Sequence, residues 1–196
     1  MRGHPVHLTV ERDARPRRIH VALRIVLMLA LGFIGFNRAY GLVYLAIPAL
    51  VALAVLHRGA GRYMAEDAPR IVRGLRWFAA ALAYLWLLTD APPTHEPGPV
   101  ELTIEPTGTP TATSALLRLI TSLPALVLVV VLAVVACVCW IVGALCILVA
   151  QRLPGALASF LTLTLRTEMR LLAYHLSLVD AYPSISEAPA AHAPAA

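Results

Sequence analysis

A short alternating segment occurs twice in this chain, at the same place in each half. Val6-His7-Leu8-Thr9-Val10-Glu11 returns as Val100-Glu101-Leu102-Thr103-Ile104-Glu105, 94 positions on (100 − 6). Arg24 matches Arg118 at that offset. Arg62, Arg76, Tyr84 and Asp90-Ala91 match Arg152, Arg166, Tyr174 and Asp180-Ala181 at an offset of 90 (152 − 62). The change in offset falls inside a long apolar run, where a helix absorbs about one turn and keeps its face. An ordered series of this kind predicts two tandem units. Each unit reads as a strand, a long apolar helix, an Arg-bearing helix and an Asp-Ala turn. The units are residues 1–93 and 94–185; residues 186–196 read as a disordered Ala/Pro tail.

Leu123 to Ala150 carries no charged residue in 28 positions, enough for a helix of about 42 Å against a hydrocarbon core of about 30 Å. Gly41–Leu56 is the corresponding stretch of the first unit and extends back through Ile25–Phe36. With 59% hydrophobic and 14% charged residues, the chain reads as a mainly helical integral membrane protein. Membrane helices are expected at about 25–57 and 70–89, then at about 116–151 and 155–179. Gly35, Asn37-Arg38 and Gly41 predict a bend in the first of these, and Pro124 predicts one in the third. Strands 6–11 and 100–105 alternate apolar and polar and are expected to pair outside the bilayer. Pairing requires both units to return to one side, which favours four spans. The alternative is two spans, with amphipathic second helices in the headgroup region.

The net charge of +5 comes from arginine alone, and six of the sixteen arginines lie at positions 2–24, before the first apolar run. That is a cytoplasmic flank and not a nucleic-acid interface. The pattern predicts a multi-pass protein of the bacterial plasma membrane with cytoplasmic termini. Cys137 and Cys139 are about 200° apart on a helix, so neither a metal site nor a local disulfide is expected from them and Cys146. No Gly-rich phosphate loop, metal-ligand spacing or activated serine motif is present in the sequence. Catalytic residues, cofactors and metals are therefore expected to be absent, and the chain is expected not to be an enzyme.

The candidate polar contacts are the duplicated positions. Arg76/Tyr84 and Arg166/Tyr174 are each eight residues apart and share a broad helical flank. Arginine at bilayer depth is expensive unless it is relieved. Arg76 and Arg166 are thus expected to reach a headgroup phosphate, a backbone carbonyl or a nearby acid. Arg62, Arg70, Arg73, Arg152 and Arg170 are assigned to the same class of lipid-headgroup or structural contacts. Asp90 and Asp180 read as turn-forming residues. Glu168 and His175 share a helical face and read as a charge-balancing cluster, with a proton relay as the minor alternative.

These units resemble the DUF4389 family, a bacterial membrane-protein domain of unknown function. The resemblance is carried by Gly61-Arg62-Tyr63, Leu75-Arg76-Trp77, Ala83-Tyr84 and Asp90-Ala91-Pro92-Pro93 in the first unit. The second shows Gln151-Arg152-Leu153-Pro154, Leu165-Arg166, Ala173-Tyr174 and Asp180-Ala181-Tyr182-Pro183. Met64 stands where the family pattern has proline, and Thr167 where it has tryptophan. The resemblance runs over roughly residues 6–185 and implies tandem copies and the architecture, with no activity attached. The functional expectation is a non-enzymatic scaffold or accessory subunit, whose partners are membrane lipids and other membrane-protein subunits or itself. The alternative is a lipid- or small-solute-binding or transport protein that uses the Arg/Tyr positions between the units.

Overall fold

The computed structural model describes residues 4–13, 15–33, 36–93 and 98–185. The tail expected to be disordered, residues 186–196, lies outside the described residues. The element order is β1 (Val6–Val10), α1 (Arg18–Phe33), α2 (Phe36–Arg58), α3 (Ala60–Arg62), a π-helical turn (Tyr63–Asp67) and α4 (Ala68–Leu85). There follow β2 (Val100–Ile104), α5 (Ala112–Thr121), α6 (Leu123–Ala150) and α7 (Gly155–His175). The protein is mainly helical with one small two-stranded sheet.

The two strands pair, antiparallel, with Leu8 opposite Leu102 at the centre and Val6 opposite Ile104. Val6, Leu8, Leu102 and Ile104 are buried, while His7, Thr9, Glu101 and Thr103 are exposed. Period-two alternation puts one face on the core and the other in solvent. Glu11 N donates to Pro99 O at 2.7 Å, and Glu105 N donates to Pro5 O at 3.0 Å. The two ends of the ladder are therefore closed by the same residue types in exchanged roles.

α4 and α7 carry this sheet and run antiparallel beneath it. Near the start of α4, the Tyr63 hydroxyl donates to Leu176 O just past α7, at 2.5 Å. At the other end, Trp86 lines a cavity with Leu161 in the first turns of α7. β2 packs on α4, and β1 packs on α7. Leu75 and Ala79 of α4 and Leu165, Met169 and Leu172 of α7 join the inward strand residues in one core. The remaining helices pack across the halves as well, α2 on α5 and α1 on α6.

α1 ends at Phe33 and α2 begins at Phe36; Gly35 of the expected bend lies outside the described residues. In the second half the break falls at Ser122, between α5 and α6. Pro124 sits in the first turn of α6, where its missing N–H leaves no bond unmade. One described helix, α6, is long and apolar enough to cross a membrane. Tyr44–Arg58 and Ala60–Leu85 pass that test only as a pair bent by 115°. α7 is not apolar on its own, and from Thr164 to His175 it is buried almost throughout by the protein.

Both α4 and α7 end in the same way. Leu88 N reaches Ala83 O and Leu87 N reaches Tyr84 O; Leu178 N reaches Ala173 O and Ser177 N reaches Tyr174 O. This is the Schellman arrangement, which needs a left-handed residue after the cap. Leu87 has φ 66° and Ser177 has φ 54°, so each side chain sits where glycine is preferred. Ser177 is also fully buried, and its hydroxyl has no hydrogen-bond partner among the described residues. Ser177→Gly is accordingly expected to raise the unfolding free energy in detergent micelles by about 1 kcal/mol, read by equilibrium denaturation. A loss of stability would show that the hydroxyl has a role not accounted for by the cap.

Candidate functional site

The best-defined polar structure in the molecule is an arginine clasp, and it occurs in both halves. In the first half, Arg24 of α1 is fully buried and meets the chain just beyond α4. Its Nη2 donates to Thr89 O at 2.5 Å and to Asp90 Oδ1 at 2.8 Å, and its guanidinium lies 4.6 Å from the Tyr84 ring centre. In the second half, Arg118 of α5 meets the chain beyond α7. Its Nη1 donates to Tyr174 O at 2.6 Å and Val179 O at 2.7 Å. Its Nη2 pairs with Asp180 Oδ1 at 2.5 Å, and its guanidinium lies 4.5 Å from the Tyr174 ring centre. Carbonyls, a carboxylate and an aromatic face together replace much of the hydration each cation gives up.

The second carboxylate oxygen holds the segment leading into the arginine's own helix, α1 in the first half and α5 in the second. Asp90 Oδ2 accepts from Arg17 N at 2.6 Å, and Asp180 Oδ2 accepts from Thr109 N at 3.1 Å. Asp90 lies in a bend and Asp180 in irregular chain just past α4 and α7, and the structure adds the ion pairs that the sequence pattern leaves out. Arg24 and Arg118 are the residues that pattern reading matched and then failed to place. The signal was available: they are arginines in apolar helices, at one common offset, with Asp90 and Asp180 matched at another.

A second duplicated contact joins the helices to the sheet. Arg76 Nε donates to Leu102 O at 3.1 Å, and Arg166 Nη2 donates to Leu8 O at 3.4 Å. Leu8 and Leu102 face each other in the ladder. Bonded and non-bonded pairs alternate along an antiparallel ribbon. With Glu11–Pro99 and Pro5–Glu105 bonded, the Leu8–Leu102 pair turns its carbonyls outward to the ribbon edges. Each arginine supplies the donor that an edge carbonyl would otherwise lack. The contact is crossed: the arginine of each half serves the strand of the other.

The structure separates residues that helical spacing grouped. Arg76 and Arg166 go to the sheet, whereas Tyr84 and Tyr174 go to Arg24 and Arg118. Tyr84 further meets His20 Nδ1 at 3.1 Å, and Tyr174 meets Thr121 Oγ1 at 2.9 Å. Arg170 is buried, and its Nη1 donates to Ser184 O at 2.6 Å. Arg62, Arg70, Arg73 and Arg152 are exposed. Arg70 lies 3.7 Å from Asp67, which Arg58 holds at 2.8 Å; Arg62 lies 4.0 Å from Glu66. Glu168 and His175 are both buried, and the His175 ring packs against Tyr44 at a tilt of 52°, with centroids 4.7 Å apart. His4, beside β1, accepts from Val6 N through Nδ1. Burial, and then the Arg170 charge, lower its pKa to about 4, so it is neutral near pH 7.

The three cysteines are free, and no cluster of metal-ligating side chains occurs among the described residues. A groove of about 720 Å³ runs along the outer side of α4 and β2 beside Arg76 and Trp77. Another, of about 390 Å³, has an apolar floor of Ile47, Leu50, Val51 and Ala54 and a rim that includes Arg58 and Arg70.

Residues 112–186 match the model of the domain of unknown function DUF4389. Over this segment the chain is similar to the DUF4389 family. The match begins at α5 and takes in α6, α7, Arg118, Tyr174 and Asp180, so the second clasp lies within the matched segment. No curated protein and no solved structure matches the chain.

Proposed function

We propose that the protein is a non-enzymatic membrane scaffold or accessory subunit built from two DUF4389-type units. The units, residues 1–93 and 94–185, are clasped about a local twofold axis through the Leu8–Leu102 pair. Support for the first unit comes from the repeated clasp, the crossed Arg76 and Arg166 contacts and the shared helix endings. The observation that carries the functional reading is where the polar groups go. Arg24, Arg118, Arg76, Arg166 and Arg170 all donate to the chain's own carbonyls or carboxylates, so this machinery holds the fold. The protein acts at the bacterial plasma membrane, with its sheet and basic N-terminal segment on the cytoplasmic side. The exposed outer face of the sheet is the surface offered to other membrane-protein subunits.

The second reading, lipid or small-solute handling, is favoured by one feature, the apolar groove with Arg58 and Arg70 at its rim. Native mass spectrometry of the protein extracted from its own membranes separates the two. A fixed stoichiometry with another membrane protein or with itself, lost when Thr9 and Thr103 are replaced by arginine, supports the scaffold. A bound lipid or solute that is lost in Arg58→Leu or Arg70→Leu while the unfolding temperature holds would overturn it.

A further inference from the structure

The proposal above places the protein at a membrane; the helix arrangement says how it sits there. Both ends of α6 are pinned to the two ends of α7. Just before α6, Arg118 and Thr121 in the second half of α5 contact Tyr174 and Val179, at and just past the end of α7. At the other end, residues 151–154 lead directly into Gly155, and Gly143 lies against Leu153 and Leu87. α6 and α7 therefore share one inclination to the bilayer. The sheet fixes what that inclination is. Arg166, midway along α7, holds Leu8 at the centre of β1, and Arg76, midway along α4, holds Leu102 at the centre of β2.

Were α6 to stand across the bilayer, α7 would stand with it, and the sheet would lie at mid-depth. Its exposed face carries His7, Thr9, Glu101 and Thr103, which have no place in hydrocarbon. With α6 and α7 in the membrane plane the conflict disappears. The sheet then faces water, and the amphipathic α4 sits at headgroup level with Arg70, Arg73 and Trp77 exposed. α6 lies submerged below. Its apolar surface runs all the way round, with Val127, Val138 and Val149 among its most exposed residues, as suits a helix inside hydrocarbon. Its 28 residues also exceed a perpendicular span by about 12 Å.

We infer that the protein is monotopic: it occupies one leaflet, with α6 embedded parallel to the surface and both of its ends on the same side. This rests on the membrane reading proposed above. The test uses the full chain with Cys137, Cys139 and Cys146 replaced by alanine, in sealed membrane vesicles. Single cysteines are placed at exposed positions on either side of α6, Thr113→Cys and Arg152→Cys, with Thr9→Cys on the sheet. An impermeant maleimide is expected to label all three from the same face. Labelling of Thr113→Cys and Arg152→Cys from opposite faces would overturn the inference and leave the membrane reading standing. Recovery of the protein in the soluble fraction after alkaline carbonate would instead sink the membrane reading. Spin labels at Val127, Val138 and Val149 give a second measure: equal depths are expected, and a gradient that is deepest at Val138 means a span.

Discussion

Asp90→Ala is expected to destabilise the protein by about 3–5 kcal/mol, the range for removing one partner of a buried ion pair. Asp180→Ala, its counterpart, is expected to cost about 1 kcal/mol. The two carboxylates do the same job in unlike surroundings. Arg24 has no exposed side-chain surface and its partner Asp90 has 14%, while Arg118 has 6% and its partner Asp180 has 47%. Without Asp90, Arg24 keeps a single carbonyl, that of Thr89, and the face of Tyr84; its Nε and Nη1 already lack partners among the described residues. Without Asp180, Arg118 keeps the carbonyls of Tyr174 and Val179, and water reaches the vacated corner. Equilibrium unfolding of the two variants in the same detergent decides the matter. The double variant Arg24→Met with Asp90→Ala should recover part of the loss, because it removes the stranded charge along with its partner. Equal costs for Asp90→Ala and Asp180→Ala would mean that burial does not set the strength of the clasp.

Gly108→Ala is expected to cost about 3 kcal/mol, the upper end for forcing an extra group into a packed site. The new Cβ would fall on the carbonyl oxygen of Ser177 and against the backbone of Leu178, neither of which is the movable end of a side chain. The connector between β2 and α5 would have to lift away. With it would go the bond from Gly108 N to Leu178 O at 2.9 Å and those from Thr109 to Asp180. Gly74→Ala on α4 is the control. Nothing lies within 4 Å of its added Cβ, so stability should hold or rise by up to about 1 kcal/mol. A Gly108→Ala protein with unchanged unfolding would show that the connector is not held against the end of α7.

The strand pair was legible from residue types alone, because alternation in two separated segments leaves two half-buried faces that satisfy each other. The helix breaks were partly legible: Pro124 announces a new first turn, though the break itself falls at Ser122. Helical spacing misled where it grouped Arg76 with Tyr84 and Arg166 with Tyr174. A rotation of about 80° lets two residues share a flank and still face different neighbours, and here one looks to the sheet and the other to the next helix. The clasps were hidden for a different reason. Arg24 and Asp90 stand 66 residues apart, and Arg118 and Asp180 stand 62 apart. No local periodicity relates residues at that distance.

By itself the sequence determined the element types, the recurrence of polar residues at two offsets, and the presence of one long uncharged helix. These follow from short-range chemistry: alternation makes strands, and unbroken apolarity makes a helix fit for hydrocarbon. The tertiary structure alone decided which carbonyl each arginine serves, that the contacts cross between the halves, and that the sheet rests over the middle of α4 and α7. Those depend on the direction in which each helix returns. That direction is set where the whole set of apolar faces closes against one another, and not by any residue read in isolation.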